Sequence, residues 1–264
     1  MYCIHHNDLD GVCSAAIVCL KYKGTETIEF VYDKPFDVDD LSGKVILVDI
    51  SYNAEFMRSI LEKTDEIVWI DHHKTSTNRL RHIPGIRDTS KSASSLCWEY
   101  FFPGTAVPEA VGLTDDWDTY RHEHFPRCLH FRYGIESITS DPKSDIWQTL
   151  VGNGDPRIIP SLCADGHSIN RYLDKLSAAQ NNLYGKTAEW DGLSCFFINR
   201  EPESNSIVDR LLDHDIAVCY IHNGDRWKVS MYSAAVDVSV LAVKHGGGGH
   251  ANASGFSCDN LPWL

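Results

Sequence analysis

The order of apolar segments in this chain predicts an α/β protein, with a mostly parallel sheet at the N-terminus and a smaller α/β domain at the C-terminus. Three observations carry that expectation. Short β-rich runs alternate with helical stretches from residue 2 to residue 70, the βαβ rhythm that gives a parallel sheet with right-handed crossovers. Three of these segments close on acidic or histidine residues. After Leu193 the pattern changes to strand, helix, hairpin and helix, followed by four consecutive glycines.

Tyr2-Cys3-Ile4-His5 reads as a short buried strand. His6-Asn7-Asp8-Leu9-Asp10-Gly11 is a turn, and Val12 to Tyr22 a helix of small residues suited to close packing on a sheet. Thr27 to Tyr32 and Lys44 to Asp49 supply two more strands, the latter ending in aspartate. Ala54 to Lys63 has helical spacing, and Glu66 to Ile70 is a strand that stops at Asp71-His72-His73, with Lys74 next. Ends of parallel strands lie along one edge of a sheet, so these acids and imidazoles are expected to converge in one crevice. Ser90 to Phe102 reads as a helix packed through Leu96, Trp98, Tyr100 and Phe101, and Gly112 to Asp118 adds a fourth acidic cluster.

Residues 121 to 185 carry less signal. His122, His124 and His130 are irregularly spaced, as surface or internally satisfied histidines are. Pro142, Gly152, Gly154 and Pro156 mark turns, and Asn170 to Tyr184 reads as a helix leading to a second domain. Ser194 to Asn199 is then a strand, Ser204 to His214 a helix, and Ile216 to His222 and Trp227 to Ser233 a hairpin turning at Asn223-Gly224-Asp225. Val236 to Lys244 is helical. The run His245-Gly-Gly-Gly-Gly-His250 follows, whose backbone N–H groups are expected to form an anion-binding nest.

Composition narrows the class. A chain of 264 residues with 43% hydrophobic and 23% charged residues has ample core for one large or two modest domains. No apolar run reaches membrane-spanning length, and Met-Tyr-Cys-Ile-His-His lacks the basic and apolar regions of a signal peptide, so a cytoplasmic protein without a membrane partner is expected. The nine cysteines are scattered with no Cys-x-x-Cys pair, which fits reduced core thiols and excludes a cysteine zinc finger. A net charge of −13 argues against long duplex nucleic acid as partner. Carboxylates that hold cations add to such a charge, so a short phosphate-bearing substrate held locally is expected.

In this order and spacing the motifs resemble those of the DHH phosphoesterases, a family that includes RecJ-type exonucleases, short-RNA nucleases, cyclic-dinucleotide phosphodiesterases and manganese pyrophosphatases. His6-Asn-Asp8-Leu-Asp10-Gly11 looks like the first motif, with His5 an alternative to His6; Asp49 looks like the second. Asp71-His72-His73 is the motif that names the family, and Asp116 in Asp-Asp-Trp-Asp looks like the fourth, with Asp115 and Asp118 also open. Gly246–Gly249 with His250, Ser254 and Gly255 is similar to the signature of the DHH-associated C-terminal domain.

The resemblance implies residues 1–125 as the catalytic domain, 126–188 as a helical continuation and linker, and 189–264 as the substrate-binding domain, with the active site in the cleft between domains. It implies two Mn²⁺ ions (or Mg²⁺) held by His6, Asp8, Asp10, Asp49, His72 and Asp116, with Asp49 bridging. Asp71 is implied as support, and His73 as a phosphate contact or proton carrier. Substrate is implied to meet His73, Lys74, Gly247, Gly248, Gly249, His250 and Ser254. The expected activity is hydrolysis of a short oligonucleotide or nucleotide phosphoester by hydroxide attack on phosphorus. A 3′,5′-bisphosphonucleotide phosphatase, a cyclic-dinucleotide phosphodiesterase, a pyrophosphatase and a non-cleaving nucleotide sensor are the alternatives.

Overall fold

The computed structural model describes residues 1–31, 38–51, 54–64, 66–74, 80, 82–152, 154–201 and 213–263. Its contacts divide into two units, Met1–Ser168 and Ile169–Leu264. The division therefore falls inside the segment that the resemblance assigns to a linker.

The first unit is built on a four-stranded parallel sheet in the order β2-β1-β3-β4: β1 Tyr2–His6, β2 Glu26–Phe30, β3 Val45–Val48 and β4 Ile67–Ile70. The two strands Val-Ile-Leu-Val and Ile-Val-Trp-Ile are buried throughout, because helices cover both faces of the sheet. On one face α1 (Leu9–Lys21) presents Ala15, Ala16 and Cys13, all fully buried, and packs closely against α3 (Ala93–Phe101). On the other, Met57 and Ile60 of α2 (Ala54–Lys63) join Ile4, Leu47 and Trp69. Gly11 sits in the first turn of α1, where a Cβ would lie 2.2 Å from the His6 carbonyl oxygen.

Residues 109–168 fold into α4 (Glu109–Asp118), α5 (Arg127–Glu136), α6 (Asp145–Val151) and the first part of α7 (Ile158–Tyr184). Three features hide these helices in the sequence. Cys128, Leu129, Phe131, Tyr133, Gly134 and Ile135 bury α5 on most sides, which erases an amphipathic period. Pro160 stands in the first turn of α7, where its missing N–H has no helical partner to lose. Gly166 is a crossing point instead of a turn: a Cβ there would lie 1.8 Å from the His130 carbonyl oxygen. Hence α7 begins twelve residues before the expected start at Asn170.

The second unit is a six-stranded mixed sheet in the order β5-β6-β7-β8-β10-β9. Its strands are β5 Lys186–Trp190, β6 Leu193–Asn199, β7 Ile216–His222, β8 Trp227–Tyr232, β9 Gly248–Gly249 and β10 Ala253–Cys258. Strands β6 and β7 are parallel, and β7 turns antiparallel into β8 where the Asn223 side chain accepts from the N–H groups of Asp225 and Arg226. Of the helix expected over Ser204 to His214, residues 204–212 lie outside the described residues, and Asp213 and His214 are not helical. The helix α8 (Val238–Lys244) packs Val238, Leu241 and Ala242 on Val218, Val229 and Met231. All nine cysteines are free, seven of them buried. No described helix is long and apolar enough to cross a membrane.

Candidate metal centre

The strand ends meet as parallel topology requires. His6 closes β1, and Asp8 caps α1 by accepting the Gly11 N–H at 2.9 Å, which leaves Asp10 in the first helical turn. Asp49 follows β3, Asp71 to His73 follow β4, and Asp118 is the last residue of α4. Three overlapping groups result: His6, Asp8 and Asp49; Asp49, His72 and His73; Asp10, His72 and Asp118. Within each, one ligand atom per residue lies within 4.8 Å of the others. Asp49 and His72 each belong to two groups.

The cluster is tight before any cation is considered. His6 Nδ1 lies 2.8 Å from Asp8 Oδ2 and 3.7 Å from Asp49 Oδ2. His72 Nε2 lies 3.4 Å from Asp49 Oδ1 and 3.2 Å from Asp118 Oδ2. Asp49 is 1% exposed and holds φ 57°, a left-handed backbone that costs a non-glycine residue on the order of 1 kcal/mol. Aspartate tolerates that region better than most residues, and the turn it makes sets the carboxylate among the other ligands.

Electrostatics favour bound cations. Burial, then the charges of Asp8, Asp10, Asp118 and Asp71, push the Asp49 carboxyl well above its ordinary range. Burial and the charges of Asp10, Asp8 and Asp115 do the same to Asp118, and burial raises Asp10. Desolvation acts upward on Asp8 too, but the hydrogen bond and charge of His6 and the Gly11 N–H bring it below its ordinary value. Both oxygens of Asp49 and Oδ2 of Asp118 are buried and accept no hydrogen bond from the described residues. Buried carboxylates without partners cost several kcal/mol each unless cations neutralise them. The donor set of aspartate oxygens and imidazole nitrogens fits hard-to-borderline divalent ions such as Mn²⁺ or Mg²⁺.

Asp71 stands behind the cluster. Fully buried, it accepts the N–H groups of His72 (2.9 Å) and His73 (3.3 Å) and pairs with His73 Nδ1 at 2.7 Å, all through Oδ1. Burial works to lower the His73 pKa, but this pairing outweighs it and holds the imidazole above its ordinary value. Asp10 has a double task, because its oxygens also take the Ala93 and Ser94 N–H groups at the start of α3. Lys74 is exposed in the turn that follows. His5 pairs through Nδ1 with the His6 carbonyl and belongs to none of the three groups.

The fourth motif resolves differently from the expected Asp116. Asp116 accepts the N–H groups of Glu123 and His124 at 2.8 and 3.0 Å, tying down the loop after α4, and joins none of the groups. Asp115 accepts the Ser92 N–H at 2.6 Å and pairs with Arg121. Asp118 reaches the cluster. Two positions apart on a helix is roughly 200° of rotation, so Asp116 and Asp118 face opposite ways, a constraint already present in the Asp-Asp-Trp-Asp spacing.

In the second unit the glycine run is largely committed to backbone pairing. The N–H groups of Gly246 and Gly247 close α8 on the Val243 and Ala242 carbonyls at 3.0 and 2.8 Å, which removes Gly247 from the expected nest. Gly248 and Gly249 form β9 against Gly255 and Ser254. His250 is exposed, and the Ser254 hydroxyl donates to its carbonyl at 2.6 Å.

Comparison with known proteins accords with this geometry. Residues 1–110 match the profile of the DHH family, N-terminal domain. An uncharacterized protein of Acanthamoeba polyphaga mimivirus is 27% identical over 239 residues, covering 82% of this chain and 53% of that protein. The chain therefore spans about half the length of the curated relative it matches. Among solved structures, exonuclease RecJ bound to manganese is similar with a TM-score of 0.57 and 14% identity, over 98% of this chain and 85% of that one. The pGpG-specific phosphodiesterase PggH from Vibrio cholerae gives 0.56 and 15%, over 98% and 93%. RecJ from Thermus thermophilus in complex with Mn²⁺ gives 0.53 and 14%, over 98% and 49%. At such identities these likenesses establish the fold. The profile spans the strand-end motifs whose side chains converge here, so residues 1–110 of this chain are similar to the N-terminal domain of the DHH family.

Proposed function

We propose that this chain is a metal-dependent phosphodiesterase that hydrolyses short oligonucleotide or nucleotide phosphoesters, with Mn²⁺ as the preferred ion and Mg²⁺ as a substitute. One observation carries the reading: Asp49 and His72 each belong to two of the three ligand groups, and both oxygens of Asp49 and Oδ2 of Asp118 are buried without hydrogen-bond donors among the described residues. His6, Asp8 and Asp49 would hold one ion, and Asp10, His72 and Asp118 a second, with Asp49 between them. Paired divalent ions there would polarise a phosphoryl oxygen and supply an activated water near neutral pH.

The protein's own groups have distinct tasks. Without cations, the clustered aspartates repel an anionic substrate, so phosphate binding is coupled to metal loading. His73, fixed by Asp71, would hold a phosphate oxygen or carry a proton to the leaving oxygen. The net charge of −13 disfavours long nucleic acid and supports a short substrate. Lys74, Gly248, Gly249, His250 and Ser254 would contribute substrate contacts. The likeness to an exonuclease and to a pGpG-specific phosphodiesterase supports a diester over a monoester substrate.

A panel of 5′-labelled RNAs of two to five nucleotides, short DNA, a cyclic dinucleotide, bisphosphoadenosine and a long structured RNA, each with Mn²⁺, tests the reading. Mononucleotide release from the shortest RNAs is expected. Cleavage of the long RNA at the rate of the dimers would sink the short-substrate claim, and turnover of bisphosphoadenosine alone would assign a phosphatase.

A further inference from the structure

One cation stands beside the anionic cluster. Arg132, on α5, lays its guanidinium over the Trp117 ring with Cζ 5.2 Å from the centroid, and 5.7 Å from the centroid of Tyr133. Trp117 immediately precedes Asp118, so this stacking holds the guanidinium at the end of α4 that carries a cluster carboxylate. Glu136, one helical turn along, accepts from Nε at 2.9 Å. Among the described residues, none accepts a hydrogen bond from either Nη group.

Nearby arginines behave otherwise. Arg121 commits an Nη group to Asp115, and Arg127 commits one to Glu109. A guanidinium needed only to tie α5 to α4 would use its fork in the same way. Arg132 is instead clamped by ring and carboxylate with its outer edge unspent, and its side chain is 35% exposed. Its charge reaches the cluster: it works to lower the Asp118 carboxyl against the dominant upward push of burial and of Asp10 and Asp8. Burial alone would lower the Arg132 pKa, but Glu136 and, more weakly, Asp8 raise it.

Building on the phosphodiesterase reading, we propose that Arg132 is a substrate-contacting residue whose two Nη groups clasp a phosphate of the substrate held at the metal cluster. A planar fork matches two phosphate oxygens, and an ammonium in its place supplies charge without that match. Stacking on Trp117 and the Glu136 bond fix the fork in advance, so little side-chain entropy is lost on binding.

The test compares wild type, Arg132→Ala, Arg132→Lys and Glu136→Gln, each loaded with Mn²⁺, on a 5′-phosphorylated RNA dinucleotide. Turnover, Mn²⁺ affinity by calorimetry and thermal unfolding are measured. Arg132→Ala is expected to raise KM about tenfold to a hundredfold, the worth of a charge-assisted hydrogen bond, with Mn²⁺ affinity within about twofold of wild type. Arg132→Lys should recover only part of that loss, and Glu136→Gln should raise KM by a smaller factor. An unchanged KM in a folded, Mn²⁺-loaded Arg132→Ala would overturn the proposal, as would full rescue by lysine. Should the wild type turn over no phosphoester, the phosphodiesterase reading fails, and dinucleotide binding to the Mn²⁺-loaded proteins decides the role of Arg132. Equal affinity of wild type and Arg132→Ala, or no affinity in either, would then overturn it.

Discussion

Replacing Asp49 with asparagine should make the metal-free protein more stable and the metal response smaller. Asparagine has nearly the same shape and tolerates the left-handed backbone that Asp49 adopts at φ 57°, so the substitution changes charge with little change in strain. What it removes is a fully buried carboxylate with no hydrogen-bond donor among the described residues and with Asp8, Asp10, Asp118 and Asp71 as anionic neighbours. Relief of one uncompensated buried charge is worth about 1–3 kcal/mol, after allowing for partial protonation. For a unit of this size that corresponds to a rise in Tm of about 5 °C in EDTA at pH 7.

The sign with pH follows from linkage. Asp49 and Asp118 are raised above their unfolded values, so the native state binds more protons than the unfolded chain. Metal-free stability should then fall as pH climbs from about 4 through the raised values. Asp8 is lowered and works the other way, its contribution being present above its unfolded value and lost as pH falls below it. In Asp49→Asn the slope above pH 4 should flatten. Saturating Mn²⁺ should stabilise wild type by about 3 kcal/mol at a hundred times Kd, and the variant by far less. Calorimetric scans with EDTA and with Mn²⁺ over pH 4–8 measure all three effects. A metal-free variant that melts below wild type, or one that keeps the full Mn²⁺ shift, would show that Asp49 is not an uncompensated charge awaiting a cation.

Three other outcomes follow from the same geometry. Asp118→Asn should lose Mn²⁺ affinity, whereas Asp116→Ala should keep it and lose about 1–3 kcal/mol of stability, because the Glu123 and His124 N–H groups lose their acceptor; calorimetric Mn²⁺ titration beside thermal melts separates the two. His72→Ala should empty the metal site, while His73→Ala should slow turnover with metals still bound; equal metal loss in both, read by metal analysis of the purified proteins, would cancel that division of labour. Burial pushes the Cys19 and Cys195 thiols up to about 11, leaving about one thiolate in a thousand at pH 8. Iodoacetamide should therefore mark the half-buried Cys163 and Cys258 in the native protein, and all nine only in denaturant; fast native labelling of Cys13 or Cys97, read by peptide mass spectrometry, would contradict the packing of α1 on α3.

The sheet and most of the cluster were legible in the sequence because both depend on local rules. A buried parallel strand must be apolar throughout and must stop at a polar residue, and Val-Ile-Leu-Val-Asp and Ile-Val-Trp-Ile-Asp say as much. What the sequence hides depends on packing across the chain. Whether Asp115, Asp116 or Asp118 reaches the cluster is decided by the loop after α4, which claims Asp116 through two backbone N–H groups, and by Arg121, which claims Asp115. Arg132 lies in a stretch without clear periodicity, and only the contact of α5 with Trp117 reveals its position. Four glycines in a row suggest free N–H groups, yet closing α8 uses two of them and β9 contains the others.

The central claim, a cation cluster that cleaves a phosphodiester, is tested most directly by cleavage of a 5′-labelled RNA dinucleotide by wild type and Asp49→Asn at saturating Mn²⁺, with EDTA as control. Mononucleotide release is expected from wild type and none in EDTA. The variant should be slower by at least about 10³-fold, since one carboxylate serves both halves of the cluster. Equal rates in wild type and variant, or no turnover of any phosphoester by a wild type that binds its metal ions, would contradict that claim.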